Sequence, residues 1–322
     1  MTPATSPGRL IGKRYRLIGK LGAGGFGQVW RARDEALSVD VAVKQVLLPG
    51  VTDSPGQAEL LARAAREARN AAQLRDHPNV VAVYDVVIDD GTPWTVMQLV
   101  EGRSLQEQLD AFGPLSVTHA TQVAAALLRA LGAAHRTGIV HRDVKPPNVM
   151  LASNGEILLT DFGIALHHAD TALTATGMLV GTPGYIAPER MRGADSGGPG
   201  DLFSLGVTLY QAVEGTPPFR RDAPAAVIFD QPPPPRHRGR LTQLIVMLLK
   251  KDPNDRPTIT QALAMIDAPS ARDGRMPATR PGSDATLPKD ASRMRRFAKH
   301  LGLIGEEDGS TSRPSPWDRF GL

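Results

Sequence analysis

One run constrains this chain more than any other: Val140-His141-Arg142-Asp143-Val144-Lys145-Pro146-Pro147-Asn148, followed beyond a short apolar stretch by Asp161-Phe162-Gly163. It sets an Asp, a Lys and an Asn at fixed offsets, and a fold that uses them must bring the second Asp to the same place. Among these residue types, one can orient a hydroxyl, one can neutralise a phosphate, and two can hold a hard divalent cation. The spacing therefore points to phosphoryl transfer from ATP. Asp143 would accept or orient the proton of an attacking hydroxyl, and Lys145 would neutralise the transferring group. Asn148 and Asp161 would supply oxygens to Mg²⁺, with Mn²⁺ as the alternative ion. His141 and Phe162 read as packing residues under the loop and not as ligand contacts.

Leu21-Gly22-Ala23-Gly24-Gly25-Phe26-Gly27-Gln28-Val29 carries a G-x-G-x-x-G pattern. Glycines let the backbone approach phosphates closely and point its N–H groups at the oxygens. Dinucleotide-binding βαβ units share the pattern, but there it leads from a strand into a helix. Here it lies between two strand-like segments and is followed by Val41-Ala42-Val43-Lys44, the order of a nucleotide loop and its phosphate lysine. Lys44 in an apolar strand needs an anionic partner. Glu67, on the helix-like segment that follows, is the natural one, and the pair would hold Lys44 against the α- and β-phosphates.

Composition removes other classes. Lys and Arg number 37 against 33 Asp and Glu, a net charge of +4, too little and too scattered for a nucleic-acid surface. There is no cysteine, which excludes disulfides, thiolate nucleophiles and Cys-bearing zinc sites and fits a reducing cytoplasm. Met1 to Arg16 lacks the apolar core of a secretory signal, and no apolar run is long enough to span a membrane.

Along the chain, residues 1–13 read as a loose leader. Tyr15 to Arg33 is a hairpin with a Gly-rich tip, Asp40–Val46 a further strand, and Val80–Ile88 and Trp94–Val100 two more. Gln57–Leu74 reads as a helix. After Gly102 the texture becomes helical: Ser104–Phe112, Ser116–Thr137, Asp201–Glu214, Leu241–Lys250 and about Thr258–Ile266. The expected fold class is α+β, a small mainly-β lobe over about 14–100 and a larger mainly-α lobe over about 103–267. Residues 268–322 have little to bury and read as a disordered tail.

Taken together, the glycine loop at 22–29, Lys44, Glu67, His141 to Asn148, Asp161 to Gly163 and Ala187-Pro188-Glu189 follow the order of the protein-kinase motifs. Over roughly residues 13–267 the chain resembles a bacterial Hanks-type (eukaryotic-like) Ser/Thr protein kinase, and the run Gly181 to Glu189 is especially similar to that group. The resemblance implies a bilobal kinase fold. It implies an ATP site formed by Leu21, Gly22, Gly24, Gly25, Gly27, Val29, Ala42, Lys44 and Glu67. The backbone of Gln98 and Val100 would bond the adenine, and Val29, Ala42 and Met150 would sandwich its ring. Thr182 resembles the threonine that links the substrate loop to Asp143 and Lys145. Thr174 and Thr176 sit where the family autophosphorylates, which brings in a transient homodimer, and Arg142 is placed to pair with the phosphate. Glu189 and Arg256 are implied as a buried ion pair, and Asp201 as the anchor of the catalytic-loop backbone.

The implied partners are proteins carrying Ser or Thr hydroxyls. A pseudokinase, binding nucleotide without chemistry, is the competing class, and the intact set Lys44, Glu67, Asp143, Asn148 and Asp161 argues against it. Three departures stand out. Gln98 occupies a hinge position that is often acidic, Gly197-Gly198-Pro199-Gly200 precedes Asp201, and Ala223–Pro235 reads about a helical turn short. In the tail, residues 293–304 place apolar side chains at helical spacing opposite a basic face, suited to a partner or an anionic membrane surface.

Overall fold

The computed structural model describes residues 5–24, 27–46, 72–162, 183–194, 197–219 and 224–267. The chain divides into Met1–Pro269 and Ser270–Leu322. The second unit, with the tail and its 293–304 segment, lies outside the described residues, as does nearly all of the helix expected over 57–74.

Alternating apolar residues produce one antiparallel sheet of six strands. β1 (Leu10–Ile11), β2 (Tyr15–Gly24), β3 (Gly27–Asp34), β4 (Val39–Gln45), β5 (Val83–Asp89) and β6 (Thr92–Met97) are laid out in the order β1-β2-β3-β4-β6-β5. Successive side chains of a strand face opposite sides, and β4 uses both. Val41 and Val43 join Ile11, Tyr15, Leu17, Trp30 and Trp94 in one buried cluster, while Ala42 joins a second cluster with Met97.

The loose leader needs correcting. Leu10 and Ile11 pair with Arg16 and Tyr15, and Ile11 is fully buried. The segment is tied to the far edge of the sheet as well: Arg9 pairs with Asp89 at 2.6 Å and Asp90 at 2.7 Å, and the Gly12 N–H donates to Asp89. β6 also ends earlier than expected, at Met97, so Gln98–Val100 run free of the ladder as a connector.

A second sheet was not anticipated. β7 (Gly102–Ser104), β8 (Val149–Ala152) and β9 (Ile157–Leu159) form a three-stranded ladder in the order β7-β8-β9. The helices among the described residues are α1 (Leu105–Phe112), α2 (Val117–Arg136), α3 (Pro188–Met191), α4 (Gly197–Glu214), α5 (Pro224–Phe229), α6 (Arg240–Leu248) and α7 (Ile259–Asp267). Ser104 opens α1 with a reciprocal capping box to Glu107, and Ser116 caps α2.

Helix α4 is buried at every residue from Gly200 to Val213, as befits a helix apolar around its whole circumference. It starts at Gly197, before the expected Asp201. Pro199 falls in the first turn, where its missing N–H has no intrahelical partner to lose. The stretch read as short carries the six-residue α5. Among the described residues no helix is long and apolar enough to cross a membrane.

Candidate active site

The loop that follows α2 is fastened from beneath by one carboxylate. Asp201, near the start of α4, accepts the backbone N–H of His141 on Oδ2 at 2.8 Å and that of Arg142 on Oδ1 at 2.7 Å. His135, from the last turn of α2, places Nε2 2.8 Å from Oδ2. Burial pushes the Asp201 carboxyl up, but the hydrogen bond with His135, the two neighbouring imidazoles and the His141 backbone N–H outweigh it, and the carboxyl sits below its ordinary value.

His141 is wholly buried. Its Nε2 lies 2.8 Å from the Thr160 carbonyl, and its Nδ1 accepts the Asp143 N–H at 3.2 Å. One ring nitrogen donates and the other accepts, which is the neutral tautomer. The Phe162 ring meets it edge-on at 4.6 Å. These two side chains form packing under the loop.

Above them the polar groups converge. Lys145 Nζ lies 2.9 Å from Asp143 Oδ2. Asn148 Nδ2 donates to the Asp143 carbonyl at 2.7 Å and to Oδ2 at 3.0 Å. Both amide hydrogens of Asn148 are thus directed at Asp143, and its Oδ1 takes no part in these contacts. Across the site, Lys44 Nζ contacts Asp161 Oδ2 at 2.6 Å. The carboxylate that the described residues bring to Lys44 is therefore Asp161, a pairing not anticipated. Glu67 lies outside the described residues. Arg142 and Asp161 adopt left-handed backbone conformations, with φ of 68° and 66°, which a non-glycine residue holds only where its surroundings impose it.

Next to this polar patch the two sheets share an apolar cluster. Ala42, Val81, Met97 and Leu158 are its buried members, and Val29, Leu99, Val100, Met150 and Ala152 pack against them. All three residues assigned to the adenine sandwich, and Val100, fall in this one cluster. Val29 stands opposite Lys44 in the ladder and Ala42 opposite Met97. The Gln98 N–H is committed to the Ala82 carbonyl at 2.8 Å. Its side chain accepts the Ala82 N–H at 3.4 Å. Of the glycine loop, Gly22 pairs with Val29 and Gly24 with Gly27. Leu21 is half exposed beside them, and Gly25 lies outside the described residues, as do Thr174, Thr176 and Thr182.

A model of the protein kinase domain matches residues 15–266. The chain belongs to the protein kinase domain family. It is 35% identical over 325 residues to the serine/threonine-protein kinase PknB of Mycobacterium tuberculosis, covering 96% of this chain and 49% of that protein. To PknA of the same species it is 40% identical over 257 residues, 76% of this chain and 58% of that protein. It is 38% identical over 260 residues to PknB of Mycobacterium leprae, 76% and 41% of the two chains. The chain thus spans less than two thirds of the length of these curated relatives. A crystal structure of Rad53 1-466 in complex with AMP-PNP superposes with a TM-score of 0.64 at 25% identity, covering 78% of this chain and 64% of that one.

In this protein kinase domain helix α3 is locked to the rest of the helical core. Arg256 forks onto Glu189 at 2.7 and 2.8 Å. Its remaining donors reach the carbonyls of Lys250, Pro199 and Lys251, and its guanidinium lies 5.1 Å from the centre of the Phe203 ring. Three supporting residues escaped the sequence reading. His135 stands on an Ala- and Leu-rich helix with no spacing to mark it. Thr160 acts through its backbone, which no side-chain pattern records. Arg190, whose Nη1 donates to the Arg142 carbonyl at 2.8 Å, had only its place after Ala187-Pro188-Glu189 to draw notice.

Proposed function

We propose that this chain is a serine/threonine protein kinase that transfers the γ-phosphoryl group of ATP to hydroxyls of protein substrates. The observation that carries the reading is the convergence of Lys145 and Asn148 on one oxygen of Asp143, with Lys44 and Asp161 paired across the site. In this reading Asp143 Oδ1, the oxygen left among the described residues, takes the proton of the attacking hydroxyl. Lys145 neutralises the transferring group, and Lys44 holds the non-transferred phosphates.

The residues suit a magnesium nucleotide. Asn148 Oδ1 and the Asp161 carboxylate are hard oxygen donors, and among the described residues no group of three or more His, Asp or Glu side chains could hold a metal by itself. Mg²⁺ favours such a site, taking one or two protein oxygens plus phosphates and water. When bound, the ion would neutralise charge on the phosphates. The apolar cluster around Ala42 and Met150 would receive the base, with the Gln98 carbonyl and the Val100 backbone at its edge.

Serine and threonine are proposed as acceptors from Lys145, two positions after Asp143, and from Thr182. The likeness to PknA and PknB supports this. Thr174 and Thr176 are the proposed autophosphorylation sites. Incubation of the protein with labelled ATP and Mg²⁺, beside Asp143→Asn, tests the assignment: label should enter protein serine or threonine in the wild type only. Equal labelling of the two, or of neither, would leave a nucleotide-binding module instead.

A further inference from the structure

The peptide between Arg142 and Asp143 is fixed at both of its polar atoms. Its N–H donates to His141 Nδ1, and its C=O accepts from Arg190 Nη1 at 2.8 Å. The neighbouring groups are pinned too: the Arg142 N–H by Asp201 and the Asp143 C=O by Asn148. Three of these four anchors come from the loop itself or from α4. The fourth comes from α3, the element that closes the substrate segment, and α3 is itself clamped by the pair between Glu189 and Arg256.

A hydrogen bond from a guanidinium to a carbonyl is charge-assisted and strong. It acts here on the left-handed residue that directly precedes Asp143. Rotation of this peptide plane would swing the Asp143 Cα–Cβ bond. The His141 contact, at 3.2 Å, is the longer of the two restraints on the plane.

We propose that Arg190 is a positioning residue for phosphoryl transfer. It holds the Arg142–Asp143 peptide so that the Asp143 carboxylate meets the attacking hydroxyl, and it makes that orientation depend on the seating of α3. This rests on the kinase reading above. Arg190 bears on Asp143 through the Arg142 carbonyl. A single N–H donor satisfies that carbonyl, so a lysine retains part of the effect, and a methionine, apolar and of similar reach, retains none.

The test uses the full chain as wild type, Arg190→Met, Arg190→Lys and Asp143→Asn. Turnover on a generic protein acceptor, the KM for ATP and the melting temperature are measured for each. Arg190→Met should lose about tenfold in kcat, the size of one hydrogen bond from a charged donor, with the KM for ATP unchanged and the melting temperature lowered by no more than a few degrees. Arg190→Lys should recover most of that loss. Wild-type kcat in Arg190→Met overturns the proposal. So does a loss of kcat that comes with a lower melting temperature and weaker ATP binding and is not relieved by lysine, since that marks a folding role. A wild type no more active than Asp143→Asn is a separate result: it removes the kinase reading, and this proposal with it.

Discussion

At Gly198 one absent carbon decides the geometry under the catalytic loop. A Cβ there would lie 2.9 Å from His135 Nδ1, and the ring could yield only by leaving Asp201. Gly198→Ala should destabilise the protein by about 1–3 kcal/mol, the usual range for overpacking, and lower turnover through the loosened loop. Thermal melts and single-turnover labelling read the two effects. The ion pair of Glu189 and Arg256 gives a second prediction at this scale. Glu189→Gln leaves a buried guanidinium without its counter-charge and should cost about 3–5 kcal/mol by denaturant titration. Asp143, Lys145, Asn148 and Asp161 were legible in the sequence because each carries a distinctive side chain at a fixed offset, whereas Glu189, Asp201 and Arg256 came only from the resemblance to a known family. His135 was not legible: its role comes from the crossing of α2 and α4, which no local spacing encodes. The pairing of Lys44 with Asp161 joins residues on β4 and beyond β9, and only the folded chain places them together.

Elements were legible where period and caps agreed. Ser104 and Glu107 form the reciprocal box at the start of α1, and Ser104→Ala should cost about 1 kcal/mol, seen as a lower denaturation midpoint with no change in slope. The second sheet escaped because its strands run to three or four residues, too short for alternation to show. β1 escaped for the same reason: two residues carry no period, and the ties that hold it, from Arg9 and Gly12 to Asp89, span the whole sheet. At the head of α4, the Gly197-Gly198-Pro199-Gly200 run that stood out as a departure is part of a helix whose first turn needs the space that Gly198 leaves for His135.

On the scale of the molecule, Lys251 reports on how the helical part closes. Its Nζ donates to the Val227 carbonyl of α5 at 2.6 Å and lies 4.2 Å from the centre of the Phe219 ring. Burial lowers its ammonium from 10.5 to about 8, with Arg192 and Arg256 adding to the shift and Asp230 opposing it. Between those values the unfolded chain holds the extra proton, so this lysine makes stability rise with pH from about 8 to about 10.5. Lys251→Met should remove that rise. Tyr15 and Tyr210, both shifted upward, act in the opposite sense at higher pH. The check is therefore the difference in unfolding free energy between wild type and variant at pH 7.5 and pH 10, and an equal difference at both would refute it. The saturated fork of Arg256 has a consequence for genetics. With all five N–H groups engaged, even lysine cannot replace it. On the proposed reading, a survey of random variants scored only by phosphoryl transfer would rank this position beside Asp143, although it never approaches a phosphate. Scoring the same library for protein abundance would part the two, because Arg256 variants disappear from the cell while Asp143 variants persist and do nothing.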